Sequence, residues 1–164
     1  MKIKSLTELY VAELEELANA EDQLAEALLE LAEVASNQKL KSALSDHREE
    51  TLVHQERLES LLTEHRAHAN AHTDQAMQAL VNETRKMLEI VEGRELRDAA
   101  AIASAQKLEH YEIAAYGAAA ALAGQLNLRG DQQMLHKTLE EEKKADALLT
   151  EIAKGGVNRA ASSA

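Results

Sequence analysis

Apolar residues recur every three or four positions along most of the chain, which is the pattern of amphipathic helices rather than of strands. Polar or glycine-containing breaks interrupt this pattern at Ser36–Gln38, 66–73, Gly93, Asn127–Gly130 and Gly155–Gly156. The pattern therefore predicts helices over residues 6–35, 39–66, 74–92 and 95–125, and a last helix that runs from an N-cap at Asp131 to Lys154.

Four of these predicted helices are long, and the short one lies between the second and the third. This order is typical of an all-α four-helix bundle with an additional short helix in its one longer crossover. We expect one bundle domain over residues 1–156 and a flexible C-terminal tail over residues 157–164, because the tail is short and rich in small and polar residues.

The composition of the chain argues against several classes of function. The chain has no Cys, so disulfides, thiolate catalysis and cysteine-ligated metals are excluded. Its formal net charge of −11 opposes nucleic-acid binding, and no basic patch compensates. A membrane span needs about 18 consecutive apolar residues, and neither such a run nor a secretory signal is seen. We expect a cytoplasmic protein that binds neither nucleic acid nor membranes.

Each long helix carries ionisable residues inside its apolar stripe, near mid-length. They are Glu21 on the first; His47, Glu50 and His54 on the second; Glu109 and Glu112 on the third; and Glu142 and Asp146 on the fourth. A bundle brings the middles of its helices together, so these side chains are predicted to meet. Unpartnered buried carboxylates are costly, and neither Lys nor Arg shares the stripes nearby. A bound metal ion would offset that cost.

The spacing of these residues also favours a metal site. Residues three or four apart on a helix share a face and can contact one ion. Such pairs are Glu50 with His54, Glu142 with Asp146, and Glu109 with Glu112. The first helix corresponds to the third and the second to the fourth, as in bundles that hold two metal ions between carboxylates.

Four stretches of the sequence resemble the YciE/YciF ferritin-like stress-protein family, a branch of the ferritin and rubrerythrin superfamily. They are Ala20–Leu24 (AEDQL), His47–Thr51 (HREET), Gln106–Gly117 (QKLEHYEIAAYG) and Thr138–Asp146 (TLEEEKKAD). The third stretch is the most specific, and the resemblance extends from Leu6 to Asn158.

This resemblance implies a small helical subunit, commonly a homodimer, with a non-haem di-iron-type centre and a ferroxidase or peroxide-handling role in stress. The residues that match the four ferritin-type carboxylates are Glu21, Glu50, Glu109 and Glu142. Glu112 resembles an additional glutamate of rubrerythrins.

The chain departs at two positions from the Glu-x-x-His pattern of ferritin-type helices. The second ligand of the second helix is His54 at i+4, and Asp146 stands where the fourth helix has a histidine. Either residue could be a ligand or a hydrogen-bond partner of one. More oxygen and less imidazole make a harder site, so we expect two transition-metal ions, iron first and manganese as the alternative.

Three further residues lie beside the predicted ligands. His47 and His110 are expected to orient the carboxylates through hydrogen bonds rather than to bind metal. Tyr116 lies on the inward stripe, where packing is the favoured role and proton or radical donation the alternative.

The sequence therefore predicts a di-metal carboxylate protein that binds ferrous iron and oxidises it with O₂ or peroxide. Two alternatives stay open at this point. One is a manganese-catalase-like peroxide dismutase on the same scaffold, and the other is a non-enzymatic helical stress or interaction protein.

Overall fold

The computed structural model describes residues 2–69 and 71–163. Its helices are α1 (Leu6–Val34), α2 (Gln38–Glu64), α3 (Gln75–Ile90), α4 (Arg94–Gln125), α5 (Arg129–Ile152) and α6 (Asn158–Ala161), with a π-helical turn over Ala153–Val157. The described residues contain no strand, and the predicted all-α bundle with a short helix in its crossover is confirmed. No helix in this part of the chain is long and apolar enough to cross a membrane.

Local side-chain chemistry sets several helix starts. The Ser5 side chain accepts a hydrogen bond from the Glu8 backbone N–H at 3.1 Å. Asn37 caps α2, and Asp74 caps α3 by accepting from the Met77 N–H at 2.9 Å. Gly93, predicted to follow the short helix, instead immediately precedes α4 with a φ of 93°, a conformation that glycine adopts readily.

Two predictions near the C-terminus differ from the structure. The last long helix begins at Arg129, so Asp131 lies in its first turn and is buried rather than acting as N-cap. Val157, expected to open a flexible tail, is buried and packs against the hydrophobic core. The short α6 follows it and packs on α4. Ala164 of that tail and Asn70 of the predicted connection lie outside the described residues.

Two antiparallel hairpins form the bundle. Helix α1 packs along α2 and α4 along α5, while α1 also contacts α4, and α2 contacts α5. The α1–α2 connection is fixed to α4 because the buried Asp98 carboxylate accepts from the backbone N–H groups of Ser36 at 2.7 Å and Asn37 at 2.9 Å. Helix α3 packs on α4 and α1, and thus covers one side of the bundle.

The core is divided into two apolar clusters. One contains Leu28, Leu44 and Leu149, and the other contains Leu14 and Leu61, each with further buried neighbours. Along α2, α4 and α5 the residues between the clusters are the inward acids and histidines. The polar side chains therefore form a layer across the middle of the bundle, sealed above and below by packed leucine and alanine.

Candidate metal centre

Four carboxylates lie in this middle layer, and each is 0 % exposed. They are Glu21 on α1, Glu109 and Glu112 on α4, and Glu142 on α5. The packing that buries them is ordinary helix packing, since leucines one to two turns away on each helix face the same way. The prediction that these four acids face inward agrees with the structure.

Two histidines of α2 bring three of the four acids into two groups, and Glu112 belongs to neither. His54 Nδ1 lies 3.3 Å from Glu21 Oε1 and 2.8 Å from Glu142 Oε1. His47 Nε2 lies 3.1 Å from Glu109 Oε2 and 3.3 Å from Glu142 Oε2. In each group one ligand atom from every residue lies within 4.8 Å of the others, which is the spacing of donors around a single ion. Glu142 belongs to both groups.

Many of these atoms have no hydrogen bond of acceptable geometry, although they lie close together. They include one oxygen each of Glu21 and Glu109, both oxygens of Glu112 and Glu142, and Nδ1 of His54. Buried polar atoms are rarely left this way, because each unsatisfied group costs about 1–3 kcal/mol. Oxygen and imidazole donors that converge with so many atoms left unsatisfied fit a transition-metal ion such as iron or manganese.

The protonation of this layer is strongly perturbed. Burial raises the pKa of Glu109 to about 8 against the opposing effect of His47. Burial and the charges of Glu21 and Glu142 raise the pKa of Glu112 well above its usual range. Burial lowers the pKa of His54, but its contacts with Glu142 and Glu21 dominate and raise it to about 10. Without metal, the layer therefore retains protons that an unfolded chain would release.

We expect the metal-free protein to lose stability as the pH rises from 6.5 to 8. Glu109 keeps its proton up to about pH 8 when folded but only to 4.5 when unfolded, and His54 keeps its proton up to about 10 rather than 6.5. In this pH range the folded state therefore binds more protons than the unfolded state. For each additional proton that the folded state holds, the free energy of unfolding falls by about 1.4 kcal/mol per unit rise in pH. Denaturant titrations in a chelator at several pH values measure this fall, and stability that rises or stays level would contradict it.

A hydrogen-bonded relay orients His54 from behind. Its Nε2 lies 3.1 Å from a Glu141 oxygen, and that carboxylate is also bound by the Arg57 guanidinium. Arg57 donates to Thr138 Oγ1 at 3.0 Å as well. Burial raises the pKa of Glu141, but Arg57 and His54 outweigh it and keep the group ionised, so Nε2 is the donor. Metal binding requires neutral His54, whose bare Nδ1 then faces Glu21 and Glu142.

Sequence reasoning missed this relay, because Glu141 belongs to a run of charged residues over Glu140–Lys144, a pattern that is typical of a solvent-exposed helix face. The available signal was the spacing of Arg57, which is one turn after His54 and so lies on a neighbouring part of α2. Tyr116, which the sequence places on the inward stripe, donates its hydroxyl hydrogen bond to Glu21 Oε1 in the buried layer.

Glu50 is not brought into the buried layer. Its side chain is 54 % exposed, and its contact there is His47 Nδ1 at 3.6 Å. Three residues correspond to a rotation of about 300°, so Glu50 lies about 60° round the helix from His47. The opposite flank, at Thr51, is the buried one. His47, expected only to orient the acids, occupies the ligand-like position instead.

Asp146 and His110 also lie outside the two groups. Asp146 accepts from Gln106 Nε2 at 3.0 Å, one turn beyond Glu142 on α5. His110 is 61 % exposed and lies 3.6 Å from Asp146. These two residues therefore meet each other at the α4–α5 contact rather than the metal centre.

The fold and this layer define the class: an all-α bundle with a buried carboxylate–histidine centre. Residues 5–162 match the model of the family described as domain of unknown function DUF892. The chain is 41 % identical over 162 residues to protein YciF of Escherichia coli K12, covering 98 % of each chain. It belongs to this YciF-like DUF892 family, so the resemblance found in the sequence is confirmed.

The similar solved structures include two from bacteria. The crystal structure of the E. coli stress protein YciF matches with a TM-score of 0.90 at 41 % identity, covering 95 % of this chain and 99 % of that chain. YcfI of Rhodopseudomonas palustris, described as a candidate structural protein, matches with a TM-score of 0.88 at 32 % identity, covering 91 % and 95 %. Both likenesses extend over nearly the whole bundle.

Proposed function

We propose that this chain binds two ferrous ions in its middle layer and oxidises them with O₂ or hydrogen peroxide, as a protective protein in stress. The observation that carries the proposal is that Glu142 belongs to both buried donor groups, so its two oxygens can serve two neighbouring ions. Stress protection is supported by the likeness to E. coli YciF, which is described as a stress protein.

The charge of the layer suits two divalent ions. Four buried carboxylates, once deprotonated, carry four negative charges, which equal the four positive charges of two ferrous ions. Glu109, Glu112, His47 and His54 hold additional protons in the metal-free protein, so binding releases them to solvent. Neutral His54, oriented by Glu141, and His47 add nitrogen donors without adding charge.

The proposed reaction is balanced with either oxidant. With peroxide, two ferrous ions, one H₂O₂ and two protons give two ferric ions and two waters. With O₂, two ferrous ions and two protons give two ferric ions and one H₂O₂. The protein supplies the positions of the ions, a water-poor surrounding and carboxylates that stabilise the higher charge of the ferric product.

An anaerobic titration with ferrous iron tests the proposal. We expect saturation at two ions per chain, followed by rapid ferric formation when half an equivalent of peroxide per iron is added. His110→Ala is the matched control, because that side chain is exposed and outside both donor groups. Saturation below one ion per chain, with oxidation no faster than in buffer, would refute the function.

A structural role is the second candidate, favoured by the description of R. palustris YcfI. In that case protein purified without added metal contains no iron or manganese, and a chelator leaves its melting temperature unchanged. A metal-binding protein would instead gain about 2.7 kcal/mol at a free metal concentration of 100 times Kd. Manganese-dependent O₂ release from peroxide would identify the catalase-like alternative. The homodimer implied by the family resemblance stays a prediction.

A further inference from the structure

The candidate metal centre is enclosed, since each of its four carboxylates is 0 % exposed. A molecule that reacts there has to pass between side chains. A cavity of about 120 Å³ lies between α2 and α5, and His47 is part of its lining. His47 is 6 % exposed and its Nε2 lies 3.1 Å from Glu109. The cavity therefore ends on a residue of the metal centre.

The walls of this cavity are mainly apolar. They are formed by Ala43 and Leu44 of α2 and by Ala145, Leu148 and Leu149 of α5. A hydrated cation that entered would lose water without gaining polar partners from these walls, which is unfavourable. A small uncharged molecule loses little on entering such a space, and apolar cavities readily take up neutral guests such as xenon.

The charges at the cavity do not select cations either. Glu50 and Lys144 both line it, and they carry opposite charges. An acidic funnel, which would concentrate divalent ions, is thus not formed by these residues. Size, apolar walls and mixed charge all favour a neutral molecule of few atoms.

We propose that this cavity is the binding site and entry route through which a small neutral oxidant, O₂ or H₂O₂, reaches the metal centre at His47. The inference rests on the proposed function, which supplies the oxidation of ferrous ions at the metal centre. It adds the position on the bundle surface, and the residues, that control how the oxidant reaches the bound ferrous ions.

Two alanines determine how much space remains in the cavity. Ala43 and Ala145 line it from α2 and α5 respectively, and both are partly buried. Replacing Ala145 with tryptophan would fill the space beside His47. Ala147 is the matched control, because two residues rotate the side chain by about 200° and it is exposed.

Xenon uptake by metal-free protein tests the cavity without any reaction. Crystals pressurised with xenon should contain the gas in the α2–α5 cavity for the unaltered protein and for Ala147→Trp, but not for Ala145→Trp. Xenon absent from the unaltered protein, or retained in Ala145→Trp, would overturn the site.

Oxidation kinetics test the route. We expect the Ala145→Trp protein to bind two ferrous ions anaerobically, as the Ala147→Trp control does. Its oxidation of these ions should be about tenfold slower than that of the control. O₂ and H₂O₂ are tested in separate experiments, and the slower rate is expected with at least one of them. Ala43→Phe, on the facing helix, should act in the same way, so the result does not depend on one variant folding. Equal rates in both arms would overturn the route, whereas failure of the unaltered protein to bind or oxidise iron would refute the proposed function instead.

Discussion

Replacing Glu142 with glutamine is expected to remove both metal positions at once, lowering ferrous stoichiometry from two ions per chain to fewer than one. Glutamine keeps the shape of the side chain but removes its charge, and Glu142 is the one residue common to both donor groups. Loss of an outer hydrogen-bond partner of a ligand already lowers metal affinity by about 10–100-fold. Loss of a shared ligand should exceed this at each position.

Two comparisons make this prediction specific. Glu21→Gln should remove only the position shared with His54 and leave one ion per chain. Glu140→Gln, on the same helix but 61 % exposed and paired with Lys143, should leave both. Calorimetric titration under nitrogen measures the stoichiometry, and a Glu142→Gln protein that still binds two ions would show that Glu142 is not the shared ligand.

Replacing Glu112 with methionine is expected to stabilise the metal-free protein by about 1–3 kcal/mol. Both carboxyl oxygens of Glu112 are buried without a hydrogen bond, and its fully buried environment is bordered by other acids. Methionine has a similar length and a flexible thioether, so it can fill the site without the cost of the unsatisfied polar atoms. The melting temperature should rise by about 2–4 °C per kcal/mol in a chain of this size.

The same substitution should weaken metal binding. The Glu112→Met protein is therefore expected to be more stable than the unaltered protein without metal, but to bind and oxidise iron less well. Glu59→Met is a suitable control, because Glu59 is exposed on α2 and such changes shift stability by less than about 0.5 kcal/mol. Urea unfolding in a chelator gives the comparison. A destabilised Glu112→Met protein would mean that the carboxyl group is satisfied in the metal-free state.

Most of the fold could be predicted from the sequence, because helices are specified locally. The period of the leucines, the Ser5 cap and the break at Ser36–Gln38 depend on neighbours within a few residues. The same period placed Glu21, Glu109 and Glu142 inward, and all three are buried. The helix period was sufficient for these three acids, although it also placed Glu50 inward.

Only the tertiary structure decided which residues at the edge of a helix's apolar stripe are buried and which are exposed. Glu50 and His47 are one turn apart, and the angle at which α2 packs on α1 and α5 buries His47 and exposes Glu50. Contacts between helices distant in sequence, such as Arg57 with Glu141, are likewise fixed only when α2 and α5 pack together. The sequence by itself determined the helices and the acidic layer, because these depend on periodicity. The pairing of donors into two groups around Glu142 depends on helix rotation and height, which packing alone sets.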